Sequence, residues 1–285
     1  MHPLVRLGPL ILSTYALFHM AGYAAGLGLA VTLGRHDGRR TRDLLDGSLV
    51  FVASGLLGAK LFHTLLEADG HVLGGVVVHS AVELLRADPW HWARITEPGF
   101  VFYGGCVLVV VNMLAFARLR RLDRIGAGFD CTAPGMALGM IIGRAGCFLA
   151  GCCHGTPTTW PTAVIFPEGH PSAGVPVHPV QLYEAAFWAV ALLYVPLAWR
   201  QRRFPGEVFI AVALAYTVAR PLLELVRGDA ERGTWFGGRV STSQVLSLLL
   251  FPVLVGVRWW MLRRAQRTSE TPASPGGHFS PGRAQ

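Results

Sequence analysis

Residues 35–43 read RHDGRRTRD and carry Arg35, Arg39, Arg40 and Arg42. They separate two apolar runs, about 10–34 and about 44–65, each near the ~20 residues a helix needs to cross a bilayer. An arginine-rich turn between two runs of crossing length is the signature of a membrane hairpin held by its basic loop. The fold follows from asking how often that unit recurs.

It recurs along the chain. Further apolar runs lie at about 99–117, 130–150, 180–199, 207–226 and 241–261. Of the 285 residues, 52% are hydrophobic and 15% charged, against about 25% charged in a soluble domain. A soluble enzyme is excluded. The pattern predicts an all-α, multi-pass membrane protein of seven transmembrane helices.

Arginine placement orients it. The segment 118–124, RLRRLDR, holds Arg118, Arg120, Arg121 and Arg124; 200–206, RQRRFPG, holds Arg200, Arg202 and Arg203; Arg258, Arg263, Arg264 and Arg267 follow the last run. With 35–43, these segments alternate between runs, so they share one side, the cytoplasmic one by the positive-inside rule. The N-terminus is then outside and the C-terminus inside. The net charge of +8 is thus topology signal and lipid contact, and no nucleic acid is implied. Residues 1–267 form the membrane domain, with 151–178, rich in Gly, Pro, Thr and Cys, as a small irregular extracytoplasmic head. The long 66–98 loop, with VLGGVVV and Trp90-His91-Trp92, predicts an interfacial amphipathic piece. The tail 268–285 reads as a disordered cytoplasmic segment. No cleavable signal peptide and no inverted repeat are evident.

Ionisable groups within apolar runs point to function. Arg144 lies between Gly143 and Gly146 near the outer end of the fourth run; snorkelling or a packing contact is the bland alternative. In ARPLLELVRG, Arg220 and Glu224 are four apart on one helical face and Arg227 follows. An intrahelical ion pair explains part of this, but two arginines to one glutamate leave a positive site suited to phosphate. The fifth run opens with His178, Gln181, Tyr183 and Glu184 behind Pro179; helix capping competes with ligand binding for Glu184. Gly104 and Gly105 after Tyr103 either let backbone amides face a ligand or pack helices. Tyr15 is a weaker candidate, since a lone membrane tyrosine more often marks the interface.

Taken in chain order, LSTYALF, GAK at 58–60, FYGG at 102–105, GRAGCFLAG, HPVQLYEA, RPLLELVR and STSQVLSL resemble the prolipoprotein diacylglyceryl transferase family over roughly Tyr15 to Ser247. The resemblance implies transfer of a diacylglyceryl group from phosphatidylglycerol to the lipobox cysteine of a preprolipoprotein signal peptide, forming a thioether and releasing glycerol-1-phosphate, with no cofactor. It implies catalytic roles for Arg144, Arg220, Tyr103 and Glu224. It implies substrate contacts from Tyr15, Gly104, Gly105, Gly143, Gly146, His178, Gln181, Tyr183, Glu184 and Arg227. Arg144 and Arg220 would hold the phosphate, Glu224 would orient Arg220, and membrane lipid would be the milieu. The chain departs from the family where Tyr103 replaces a histidine, Cys147 an asparagine and Cys152 a glutamate, and where Gly155-Thr156 replaces Gly-Arg. Tyrosine is a poor base at neutral pH, so the base is open, with His154 as one substitute.

Residues 143–155, GRAGCFLAGCCHG, also admit other readings. Cysteine and histidine suit a metal, but C-x4-C-C-H matches no strong ligand spacing, and no metal is expected from it. A thiol–disulfide oxidoreductase using Cys147, Cys152 and Cys153 is the alternative from another class, although there is no C-x-x-C pair. A Cys147–Cys152 or Cys147–Cys153 bridge and a non-catalytic anionic-lipid binder stay open. The favoured reading packs the cysteines around Arg144.

Overall fold

The computed structural model describes residues 4–7, 10–66, 71–73, 76–78, 80–91, 102–120, 125–228, 234–235 and 240–270. Among them are eight helices: α1 (Thr14–His36), α2 (Thr41–Leu66), α3 (Ala81–Ala87), α4 (Phe102–Leu119), α5 (Ile125–Ala150), α6 (Val180–Gln201), α7 (Glu207–Leu225) and α8 (Thr242–Glu270). Strands occur only as short antiparallel pairs: β1 (Leu4–Leu7) with β2 (Leu10–Ser13), β3 (His71–Leu73) with β4 (Val76–Val78), β5 (Val164–Ile165) with β6 (Pro176–Val177), and β7 (Thr234–Trp235) with β8 (Val240–Ser241). The all-α expectation holds.

Six of these helices, α1, α2, α5, α6, α7 and α8, are long and apolar enough to cross a membrane. The expected crossing at 99–117 coincides with α4, whose apolar stretch Gly104–Leu119 falls in the shorter class. The first run also starts later than predicted. Residues 10–13 pair as β2, and Ser13 caps α1 by accepting the amide hydrogen of Ala16 at 3.2 Å. At the other end α8 continues to Glu270, into the predicted tail; 271–285 lie outside the described residues. The interfacial piece predicted in 66–98 corresponds to α3, with Ser80 as its N-cap and Leu84 fully buried; Trp92 lies outside the described residues.

Helices meet along small residues. On α1, Gly22 and Gly26 face Gly139 and Gly135 of α5, and a Cβ at Gly22 would lie 2.7 Å from the Gly139 carbonyl oxygen. Lipid offers no hydrophobic drive between helices, so this close backbone contact is what holds α1 on α5. A second core joins α5, α6 and α7 through Ala133, Ala137, Trp188, Ala191, Val212 and Tyr216.

The arginine-bearing segments gather at one end. Arg202 donates to Asp37 at 3.1 Å and lies 3.6 Å from Asp130. Arg203 and Arg258 both reach Glu207, at 2.7 and 3.1 Å, and Arg120 pairs with Asp46. Asp130 is fully buried and accepts the amide hydrogens of Gly206 at 2.8 Å and Phe209 at 3.1 Å. These are orphan donors at the start of α7, which a carboxylate satisfies. Asp130→Ala strands both amides, while Arg202 keeps Asp37, and is expected to destabilise the bundle by about 2–5 kcal/mol, about 1–3 for each unsatisfied donor. Unfolding in mixed micelles checks this; a change under about 1 kcal/mol, the scale of a surface pair, would refute it.

Candidate active site

The opposite end of the bundle collects the polar groups that composition would not place in lipid. Arg144 sits in the last two turns of α5, and Glu184 in the second turn of α6. Arg144 Nη2 donates to Glu184 Oε1 at 2.9 Å, and their side chains are 17% and 2% exposed. The same carboxylate oxygen accepts the Tyr216 hydroxyl at 3.0 Å from α7. Glu184 therefore joins three helices. Capping does not describe it, because α6 has no side-chain cap and begins at Pro179.

One turn beyond Tyr216 on the same face of α7 comes Arg220, then Glu224. Arg220 Nη2 lies 2.8 Å from Glu224 Oε2, with side chains 10% and 3% exposed. Ser243 Oγ of α8 donates to that oxygen at 3.0 Å. Arg220 Nη1 is buried with no hydrogen-bond partner among the described residues. A buried guanidinium donor of this kind gains free energy from an oxygen acceptor. With Arg227, three arginines and two glutamates leave the cluster net positive.

Gly143 and Gly146 let α1 approach. A Cβ at Gly146 would lie 2.6 Å from the Phe18 Cβ, and one at Gly143 would lie 3.5 Å from His19 Nε2. This approach brings Tyr15 and His19 within electrostatic reach of Arg144 and Cys153. His19 Nδ1 donates to the Tyr15 carbonyl at 2.9 Å, which leaves Nε2 as the basic nitrogen of the neutral ring. His19, Tyr216 and Ser243 were missed by sequence reasoning. His19 and Tyr216 lie in apolar runs, marked only by their four-residue spacing from Tyr15 and Arg220, and Ser243 is one of four consecutive polar residues at 241–244 with nothing local to single it out.

Gly104 and Gly105 lie on the α2–α4 seam, where Cβ atoms would come 2.6 Å from the carbonyl oxygens of Gly58 and Gly55. Helix packing accounts for both. Tyr103 stands in the first turn of α4, and its side chain lies outside the described residues. His178 and Tyr183 pin the head: His178 Nδ1 is 3.2 Å from the Tyr183 hydroxyl, which is 2.6 Å from Thr162 Oγ1. Gln181 Nε2 donates to the Cys152 carbonyl at 2.5 Å.

The head is stitched to the bundle by its backbone. Gly155 N donates to His178 O at 2.8 Å, Thr156 N to Val226 O at 2.9 Å, and Gly228 N to His154 O at 3.1 Å. A Cβ at Gly155 would lie 2.5 Å from the His178 Cβ, so only glycine fits in this position. Arg227 pairs with Gly155 across this junction. His154 Nε2 is 2.9 Å from Ser172 Oγ, and its ring packs edge-on against His170. His170 Nε2 donates to Gly151 O at 2.6 Å while Nδ1 accepts from Ser172 N.

All five cysteines are free thiols. Hydrogen bonding from Cys147 and Cys152, with the Arg227 and Arg144 guanidiniums, holds the Cys153 thiol well below the usual range. Hydrogen bonding to Cys147 and Cys153, with burial, holds Cys152 well above it.

The prolipoprotein diacylglyceryl transferase family matches residues 2–261. The phosphatidylglycerol–prolipoprotein diacylglyceryl transferase of Vibrio atlanticus is 32% identical over 273 residues, covering 94% of this chain and 93% of its own length. The protein of that name from Bordetella bronchiseptica is 32% identical over 228 residues, 78% of this chain and 80% of its own. A second such transferase, from Clostridium perfringens, is 28% identical over 257 residues, 88% and 93%. The site residues Arg144, Glu184, Tyr216, Arg220 and Glu224 all fall inside the matched span, and the chain belongs to the prolipoprotein diacylglyceryl transferase family.

Proposed function

We propose that this chain transfers the diacylglyceryl group of phosphatidylglycerol to the lipobox cysteine thiol of a preprolipoprotein, forming a thioether and releasing glycerol-1-phosphate. The observation that carries the reading is the pair of buried arginines at one end of the bundle, with Arg220 Nη1 lacking a hydrogen-bond partner among the described residues. A phosphodiester brings the missing acceptor and one negative charge. Arg220, oriented by Glu224, donates to the phosphate as it becomes a leaving group, and Arg144 adds charge from the opposite helix. Tyr15 and Arg227 flank the headgroup, and Gly143 and Gly146 keep it open to α1. Gln181, His178 and Tyr183 hold the head over it. Gly104 and Gly105 support the α2–α4 wall.

The arginine-rich end faces the cytoplasm and the head faces outward, with α4 as the seventh crossing in a bacterial inner membrane. This is where the acceptor's lipobox emerges from the bilayer.

His19 takes the thiol proton. Its Nε2 is the basic nitrogen beside Gly143, and a positioned base is worth about 10²–10⁴ in rate. His19→Gln is expected to lower turnover about 10²-fold at neutral pH. The deficit should shrink as pH rises toward the free thiol value of about 8.5, where solvent takes the proton. An unchanged rate and pH profile would assign the base elsewhere.

The direct test uses purified protein in detergent with phosphatidylglycerol and a lipobox peptide. Glycerol-1-phosphate and lipidated peptide are read together by mass spectrometry. Folded protein giving neither product, beside an active transferase control, would overturn the reading.

A further inference from the structure

Three thiols stand in the site with no role in the reaction as described. Cys147 is buried in the last turn of α5. The chain then passes through two left-handed residues, Gly151 at φ 77° and Cys153 at φ 61°. A non-glycine residue there costs about 1–3 kcal/mol. The turn folds the chain back, and the Sγ atoms of Cys147, Cys152 and Cys153 lie within 4.8 Å of one another. Spacing alone argued against a metal, because neighbouring cysteines in a regular backbone point apart; the left-handed Cys153 removes that objection.

Thiolate–zinc bonds are about 2.3 Å, which in a tetrahedron sets sulfurs about 3.8 Å apart. The three sulfurs, all within 4.8 Å of one another, stand within about 1 Å of that spacing. Three thiolates around Zn²⁺ carry one net negative charge, and the Arg144 and Arg227 guanidiniums act on this cluster. Soft thiolate sets select zinc over magnesium or calcium. Three protein ligands rather than four is the pattern of a site with an open coordination position.

We propose that Cys147, Cys152 and Cys153 bind one Zn²⁺ through three thiolates and leave the fourth position for the acceptor cysteine. The second half of this rests on the transferase reading. A thiol bound to zinc is deprotonated, and its proton passes to His19 Nε2. The sulfur lone pair then attacks the glyceryl carbon of the lipid. The sulfur–carbon bond forms as the carbon–oxygen bond to phosphate breaks, and the bond pair leaves with glycerol-1-phosphate. The thioether product is a weaker ligand than the thiolate and departs. No atom changes oxidation state.

The test uses the full chain in detergent, desalted after zinc loading. Elemental analysis is expected to give about one zinc per chain, and none in C147S/C152S/C153S. Cobalt exchanged into the site should show thiolate-to-cobalt charge transfer and strong tetrahedral bands. A lipobox peptide should shift those bands, and its cysteine-to-serine analogue should not. These readouts need no turnover. If the triple variant misfolds, Cys153→Ser is used, with zinc affinity about tenfold or more weaker expected by competition with a chromophoric chelator. Substoichiometric zinc with three titratable thiols overturns the site, as does a disulfide between any two of them. Transferase activity that survives complete zinc removal overturns the proposal and leaves the transferase reading standing. Zinc bound with peptide-sensitive cobalt bands but no product keeps the metal site and overturns the transferase reading.

Discussion

Arg220→Ala is expected to reduce diacylglyceryl transfer by about 10³-fold, the scale for removing a preorganised cation from a departing phosphate. The loss should appear mainly in kcat. Arg144 still attracts the anionic headgroup, while charge on the leaving phosphate grows only in the transition state. Removing Arg220 also leaves the buried Glu224 carboxylate without its cation, a loss of about 3–5 kcal/mol, so the rate is read on the fraction that remains folded. Glu224 keeps its contact with Ser243 at 3.0 Å, and the α7–α8 junction has its own support. There Ser241 Oγ accepts from Gln244 N at 3.2 Å while Gln244 Oε1 accepts from Ser241 N at 2.9 Å, a reciprocal cap at the start of α8. Arg220→Lys separates charge from geometry. A lysine keeps the cation but loses the planar fork that bonds Glu224 with one arm and leaves Nη1 for the lipid. It should recover only part of the loss, about tenfold. Wild-type turnover in Arg220→Ala, with unchanged gel-filtration behaviour, would remove this arginine from the mechanism.

Much of this arrangement was legible in the sequence, for identifiable reasons. Charge periodicity marked Arg220 and Glu224, because an i,i+4 pair on a helix is a local contact. The arginine clusters marked one end of the bundle, and Arg202, Arg203 and Arg120 do meet partners there. Glu184 was found as a residue but not as a partner. Its link to Arg144 spans 40 positions, and nothing local distinguishes it from a helix-start carboxylate. His19 had only its spacing from Tyr15 to mark it, because its nearness to Arg144 depends on α1 lying against α5. The closeness of the three thiols was not legible for a backbone reason: a positive φ at Cys153 cannot be inferred from a cysteine pair. The glycines of α4 read as ligand contacts or packing with equal ease, and their close approach to the α2 backbone could not be read from the sequence.

Glu184 therefore carries the other large effect, and two substitutions separate its parts. Glu184→Ala leaves the largely buried Arg144 guanidinium without its carboxylate and the Tyr216 hydroxyl without that acceptor. An uncompensated buried charge of this kind costs about 3–5 kcal/mol, so a large fall in the detergent melting temperature is expected. Activity should fall with it, because three helices lose their common anchor. Glu184→Gln keeps the shape and one acceptor oxygen but removes the charge. The site then becomes more positive, and the KM for phosphatidylglycerol should hold or decrease. kcat should nevertheless fall about 10- to 10²-fold, since Arg144 is no longer held in a fixed geometry and misplacement of about 1 Å has effects of that size. A falling kcat with a steady KM is the mark of a residue that positions another; a purely structural residue would lower the melting temperature and leave both constants unchanged in the protein that remains folded. Native stability and full rate in Glu184→Ala would mean that Arg144 finds its orientation elsewhere, and the coupling of α5, α6 and α7 through this carboxylate would have to be abandoned.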